Sequence, residues 1–208
     1  IYLDETCRRM LSTFRLYFTH LVNALVEADE KEKALTALDK VTTMIPASAV
    51  PYSSDGLLFA RAYYRLGEKE KAEALIADIS DRINRNLDWF TRLNPIQLSN
   101  TYIDVMGNNI NPMLLISTIY QQYDKQKYKV MVDDLLQRAQ TFYTLGAPYF
   151  GDALLKEITD SSVRGYYSTS PDDTLHRATE EETMQKALNM MQQFSPRLLE
   201  QYQQQSAE

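Results

Sequence analysis

The feature that most constrains this chain is a repeat. The string Glu-Lys-Glu-Lys-Ala stands at 30–34 and again at 68–72. At the same offset Leu21, Ala24 and Leu25 correspond to Phe59, Ala62 and Tyr63, while Leu38 and Val41 correspond to Ile76 and Ile79. Apolar positions that coincide at such a distance predict stacked supersecondary units, each needing its neighbour to cover its apolar face.

Each copy reads as helix, tight turn, helix. Leu11, Phe14, Phe18, Leu21, Val22 and Leu25 recur at helical spacing, Ala28-Asp29 turns the chain, and Ala34, Leu38, Val41 and Ile45 form a facing stripe that Pro46 ends. In the second copy Phe59, Tyr63 and Leu66 lead to Gly67, the residue type suited to a left-handed helix end. A long stripe from Ala72 through Ile76, Ile79, Ile83 and Leu87 to Phe90 follows. Small residues at Ala34 and Ala72 allow two helices to approach closely.

These positions resemble the tetratricopeptide repeat. Phe18, Leu21, Leu25, Ala34, Leu38 and Pro46 occupy its packing positions in the first unit, and Phe59, Tyr63, Ala72 and Ile76 do so in the second. The second unit departs from the family at Gly56, where an aromatic is usual, and at Asn84, where proline is usual. The extra length of the period is expected between Ala47 and Asp55. The expected fold is therefore all-α, a helical-hairpin solenoid with additional C-terminal helices. Two hairpins are expected in 1–93, further helical hairpins in 94–160, and a polar loop with capping helices in 161–208.

Beyond the repeat, Asn94-Pro95 and Asn111-Pro112 read as N-cap and first helical residue. Gly107-Asn108-Asn109 reads as a turn between them. Met113, Ile116, Tyr120 and Tyr123, then Tyr128, Val132, Leu135, Ala139 and Phe142, form another pair of stripes. Pro148 opens a short helix to Ile158. The polar stretch Asp160 to Ala178 reads as a loop, Thr179 as the cap of a helix begun by Glu180, Glu181 and Glu182, and Ser195-Pro196 as the start of the last helix.

Composition narrows function. A net charge of −6 argues against nucleic acid, whose phosphates call for a basic face. A single cysteine excludes an internal disulfide and cysteine-pair metal sites. No apolar run reaches membrane-spanning length. Histidines 20 and 176 lie in separate segments, and His20 reads as structural or solvent-facing. Cys7, despite Arg8 and Arg9, reads as buried or unreactive. The pairs Asp133-Asp134 and Asp172-Asp173 point apart on a helix and do not converge on a metal. No catalytic residue, metal or cofactor is expected.

Aromatic content is more informative. Fourteen tyrosines exceed what a core of this size uses. Tyr63, Tyr64, Tyr52, Trp89 and Tyr120 are the candidates for a binding groove, because such side chains bring area at low entropic cost.

The opening Ile1-Tyr2-Leu3-Asp4-Glu5-Thr6 with Arg8-Arg9, then Val50-Pro51-Tyr52 and Leu87-Asp88-Trp89-Phe90, look like the C-terminal soluble region of a Bacteroidetes family of multi-spanning membrane proteins. That family is of unknown function and is similar to protein O-mannosyltransferases. The resemblance covers Ile1 to Asn94. It implies a tail cut from a longer chain, which fits a start at Ile1, with any transferase chemistry in the membrane part. It also implies a domain tethered to the inner membrane on its periplasmic side, the cytoplasmic side being the alternative. Asp173-Thr174-Leu175 resembles the O-glycosylation sequon of exported Bacteroidetes proteins, making Thr174 a candidate acceptor. The expected role is a non-catalytic interaction or scaffolding module whose partner is a protein, a peptide or its own membrane domain. The alternative is a glycan-contacting accessory domain of a membrane glycosyltransferase. Oligomeric state is left open.

Overall fold

The computed structural model describes residues 4–166 and 173–207, with side chains described over 4–160 and 181–207. Among the described residues the chain is all-α and contains no strand. It divides into two compact units, 1–84 and 85–208.

The first unit holds α1 (Glu5–Glu27), α2 (Lys31–Met44), α3 (Ser54–Arg65) and the start of α4 (Lys69–Phe90). Asp4 caps α1, its carboxylate accepting from the Cys7 backbone N–H at 2.7 Å. Between α1 and α2 the chain turns through Asp29 at φ 58°, and between α3 and α4 through Gly67 at φ 86°. Glu30 N–H then donates to the Leu25 carbonyl at 2.9 Å, and Glu68 N–H to the Tyr63 carbonyl at 2.9 Å. These are the same bonds at equivalent repeat positions, a six-residue closure that satisfies one of the carbonyls each helix end leaves over. The sequence repeat is thus also a repeat of backbone hydrogen bonding.

Helix α1 packs against both α2 and α3. Val22, Ala34, Leu38, Phe59, Ala72 and Ile76 are buried at the centre. Gly56 departs from the repeat pattern for a steric reason. A Cβ there would lie 2.6 Å from Tyr52 Cβ and 2.9 Å from Ile79 Cδ1, so no side chain fits between α3, α4 and the preceding loop.

The second unit begins with the last residues of α4. It continues through α5 (Pro95–Asn100), α6 (Tyr102–Val105), a π-helical turn (Met106–Ile110), α7 (Asn111–Tyr123), α8 (Lys125–Thr144), α9 (Pro148–Tyr166), α10 (Asp173–Phe194) and α11 (Pro196–Gln205). Helix α8 packs between α7 and α9, α10 covers α9 and α8, and α11 packs on α10. Asn94 caps α5 as expected, and with Gln97 it forms a capping box. Gly146, at φ 77°, closes α8 as Gly67 closes α3, with Ala147 N–H on the Phe142 carbonyl at 2.9 Å.

Several expectations are corrected here. Gly107-Asn108-Asn109 is not a turn but part of the π turn, and Asn111 is not a cap, because Ile110 before it is already helical. The π turn resolves the problem posed by Pro112. Widening the backbone just before a proline relieves the clash and the missing donor that would break a regular helix. Asn109 stabilises the widening, donating from Nδ2 to the Asp104 carbonyl at 2.7 Å. The stretch read as a loop from Asp160 is helical to Tyr166 and again from Asp173, since Ser161 to Arg164 contains no glycine or proline to stop it. Glu180 to Glu182 consequently lie inside α10 rather than at its start, and Glu182 instead faces Lys129 at 3.6 Å.

Two glycines separate packing strain from backbone strain. Gly56→Ala is expected to cost about 1–3 kcal/mol through overpacking. Gly67→Ala, whose added Cβ meets nothing within 4 Å, is expected to cost about 1 kcal/mol through its left-handed backbone alone. Urea midpoints of the two variants at constant denaturant slope check both values.

Candidate interaction surface

The largest side chain sealed inside the first unit is charged. Arg15 on α1 is fully buried. Its guanidinium donates to the Ile45 carbonyl at 2.7 Å, the Val50 carbonyl at 2.6 Å and Asp55 Oδ2 at 3.1 Å. Longer bonds reach the carbonyls of Pro46 and Pro51. The ring of Tyr52 lies 4.1 Å beneath it. Asp55 is itself oriented by Ser53, whose N–H and hydroxyl donate to Oδ1 at 2.8 and 2.9 Å. One side chain thus gathers the whole connection between α2 and α3 onto α1. Nε of Arg15 has no hydrogen-bond partner among the described residues, so the cluster is costly as well as specific.

Arg15 fixes the rotation of α1. The inner seam is Leu11, Arg15, Phe18, Val22 and Leu25, with Thr19 also buried. This corrects the sequence stripe at two positions: Phe14 is 51 % exposed and Leu21 is 48 % exposed. Both belong to a second seam one residue earlier, Met10, Phe14, Tyr17, Leu21 and Ala24, all exposed. The steps along it alternate between four and three residues, the spacing of a helix-pairing face. A concavity of about 420 Å³ lies over its N-terminal half, lined by Thr6, Arg9, Met10, Thr13, Phe14 and Tyr17. Single apolar side chains on a surface need no explanation, whereas a contiguous apolar row is uncommon on a soluble monomer.

Four of the five aromatic groove candidates lie inside. Tyr63 is buried, and its hydroxyl donates to Asp39 Oδ1 at 2.8 Å. Tyr64 is buried with its hydroxyl on Glu73, and Tyr52 lies under Arg15. Tyr120 is buried with Lys127 over its ring. The hydroxyls of Tyr63 and Tyr64 thus rest on carboxylates, and these four tyrosines serve in packing. Trp89 alone of the five is exposed, at 55 %. Of the repeat-packing residues, Ala34, Leu38, Phe59, Tyr63, Ala72 and Ile76 are buried, Phe18, Leu25 and Pro46 half-buried, and Leu21 faces outward. Thr174 lies outside the described side chains.

The charged candidates also find ordinary partners. Asp133 pairs with Lys186 at 2.8 Å and Asp134 with Arg138 at 3.0 Å, so the two carboxylates diverge. Cys7 is exposed rather than buried, and the Asp4 carboxylate beside it pushes its thiol above the ordinary value. A reactive thiolate is therefore disfavoured. A polar cleft of about 260 Å³ in the second unit lies among Asp88, Thr91, Asp134, Gln137 and Arg138. It is smaller and more polar than the usual small-molecule site, and Trp89 lies one helical step, about 100°, from Asp88 and outside it.

Comparison with protein-family models, curated proteins and solved structures finds no match to this chain.

Two predictions follow from the packing of the first unit. Arg15→Ala strands the Asp55 carboxylate and the loop carbonyls, and is expected to cost about 3–5 kcal/mol in chemical denaturation. Asp39 provides a pH test. Burial works against its ionisation, but hydrogen bonds from Lys71 and Tyr63 outweigh this and hold it below its ordinary value of 3.8. A depressed carboxyl pKa stabilises the fold above the unfolded value, and that contribution is lost as pH falls through the folded one. Asp39→Asn is therefore expected to flatten the stability curve below about pH 4 while leaving its slope near neutrality unchanged, as read by melts across a pH series.

Proposed function

We propose that this chain is a non-catalytic protein-interaction module that docks a partner helix along the outer seam of α1. The observation that carries this reading is the row Met10, Phe14, Tyr17 and Leu21, each between 48 and 64 % exposed, on a helix held from behind by buried Arg15. A pre-oriented row of aromatic and aliphatic side chains binds at low ordering cost. The shared turn geometry of the two hairpins supports a tetratricopeptide-like stacking. The family resemblance of Ile1 to Asn94 supports attachment to a membrane protein, although no helix among the described residues is long and apolar enough to cross a membrane.

Hydroxyl-radical footprinting tests the docking face. Met10 and Tyr17 are expected to be labelled at least several-fold less in the native cellular setting than in the purified chain at high dilution. Equal labelling in both overturns the reading.

Exposed Trp89 favours a second reading, contact with glycans by stacking of a sugar face on the indole. Tyr52 and Tyr120 are too buried to contribute. Titration of the chain with acceptor glycans is then expected to change Trp89 emission, and a flat response at millimolar sugar removes this reading.

A further inference from the structure

We infer that the outer seam of α1 is occupied by a second copy of the same helix, lying antiparallel across a twofold axis between Arg15 and Leu16. This rests on the reading of that seam as a docking face and names its partner. The first argument is the order of side-chain sizes. From the N-terminus the exposed seam runs Cys7, Met10, Phe14, Tyr17, Leu21, Ala24. Read backwards, the sizes repeat: small, medium, large, large, medium, small. An antiparallel mate in this register sets Phe14 against Tyr17, Met10 against Leu21 and Cys7 against Ala24, in both directions at once. A closed twofold interface requires such self-complementarity, because each residue's counterpart must meet it in return. The four central rings fall on the axis, where anchor residues of an interface concentrate, and the smaller side chains fall toward its ends.

Charge disfavours the parallel direction. Exposed Asp4, Glu5, Arg8 and Arg9 lie at the start of α1, and exposed Glu27 and Asp29 at its end. A parallel mate stacks Arg8, Arg9 and Glu27 each on its own copy, whereas in the antiparallel register Arg8 faces Asn23 and Glu27 lies between Asp4, whose carboxylate already accepts from the Cys7 N–H, and Arg8 one turn on. Among the described residues Arg9 is paired with Glu5, both side chains being largely exposed at 76 % and 88 %, which holds it weakly. Area is the third argument. Covering the half-exposed Met10, Phe14, Tyr17 and Leu21 of both copies removes on the order of 1,000 Å² from water, the threshold of a specific interface. The expected association is accordingly modest and concentration-dependent.

Sedimentation velocity of the full chain across a concentration series is expected to show a monomer–dimer equilibrium. Phe14→Glu is expected to weaken it at least tenfold with unchanged helicity. Ala24→Cys tests geometry without adding charge. On mild oxidation it is expected to yield a covalent dimer joining Cys7 of one copy to position 24 of the other. The unsubstituted chain should not crosslink, since its two Cys7 residues would lie about 25 Å apart along the helices. Crosslinking of Cys7 to Cys7 in the unsubstituted chain overturns the antiparallel register. A chain that stays monomeric at every concentration, with Met10 and Tyr17 still protected in cells, overturns the second copy as occupant but leaves the docking face standing. Loss of protection as well removes both.

Discussion

A single buried guanidinium organises the first unit. Arg15 could have been a leucine, and the hairpins would still have had apolar surface to bury. A leucine, however, would not choose among the ways a nine-residue connection can lie across a helix. The N–H donors of two terminal nitrogens held in one plane do choose. They require the carbonyls of Ile45 and Val50 at short range, a carboxylate at Asp55, and Tyr52 below. Two of the contacted carbonyls belong to prolines, whose rings fix φ at those positions, and the chain turns after Pro46 with the Ala49 and Val50 N–H groups on its carbonyl. The desolvation cost is large, and the return is uniqueness of arrangement more than net stability.

Because Arg15 occupies the inner seam, the larger apolar residues one position earlier are turned outward. The exposed row on α1 and the buried charge behind it are therefore one feature seen from two sides. A helix apolar over so wide an arc is ordinarily covered on both faces. Here the inner face is covered by α2 and α3.

Much of the fold was legible in the sequence. The repeat located both hairpins, Gly67 marked its turn, and Asn94-Pro95 marked its cap. What was not legible had specific causes. Phe14 and Leu21 were placed in the core because periodicity finds an apolar stripe but cannot separate two seams offset by one residue. The signal that could have done so was Arg15 itself, a lone cation at a core position between Leu11 and Phe18. Asp29 lacks the glycine that would have announced a left-handed turn, yet adopts one. The π turn was hidden because Gly107, Asn108, Asn109 and Pro112 are the residues of a break as well as of a bulge. The tyrosines misled because a count of side chains does not reveal that Tyr63, Tyr64 and Tyr143 hand their hydroxyls to Asp39, Glu73 and Asp152.

Those tyrosines have a consequence for protonation. Burial raises the hydroxyls of Tyr52, Tyr63 and Tyr143 above their ordinary value, the Asp39 side chain raises Lys71, and Asp4 raises Cys7, while Asp4 and Asp39 are lowered. Every one of these displacements moves a titration away from neutrality. Packing that rests on these tyrosines and carboxylates therefore keeps a single protonation state near neutrality.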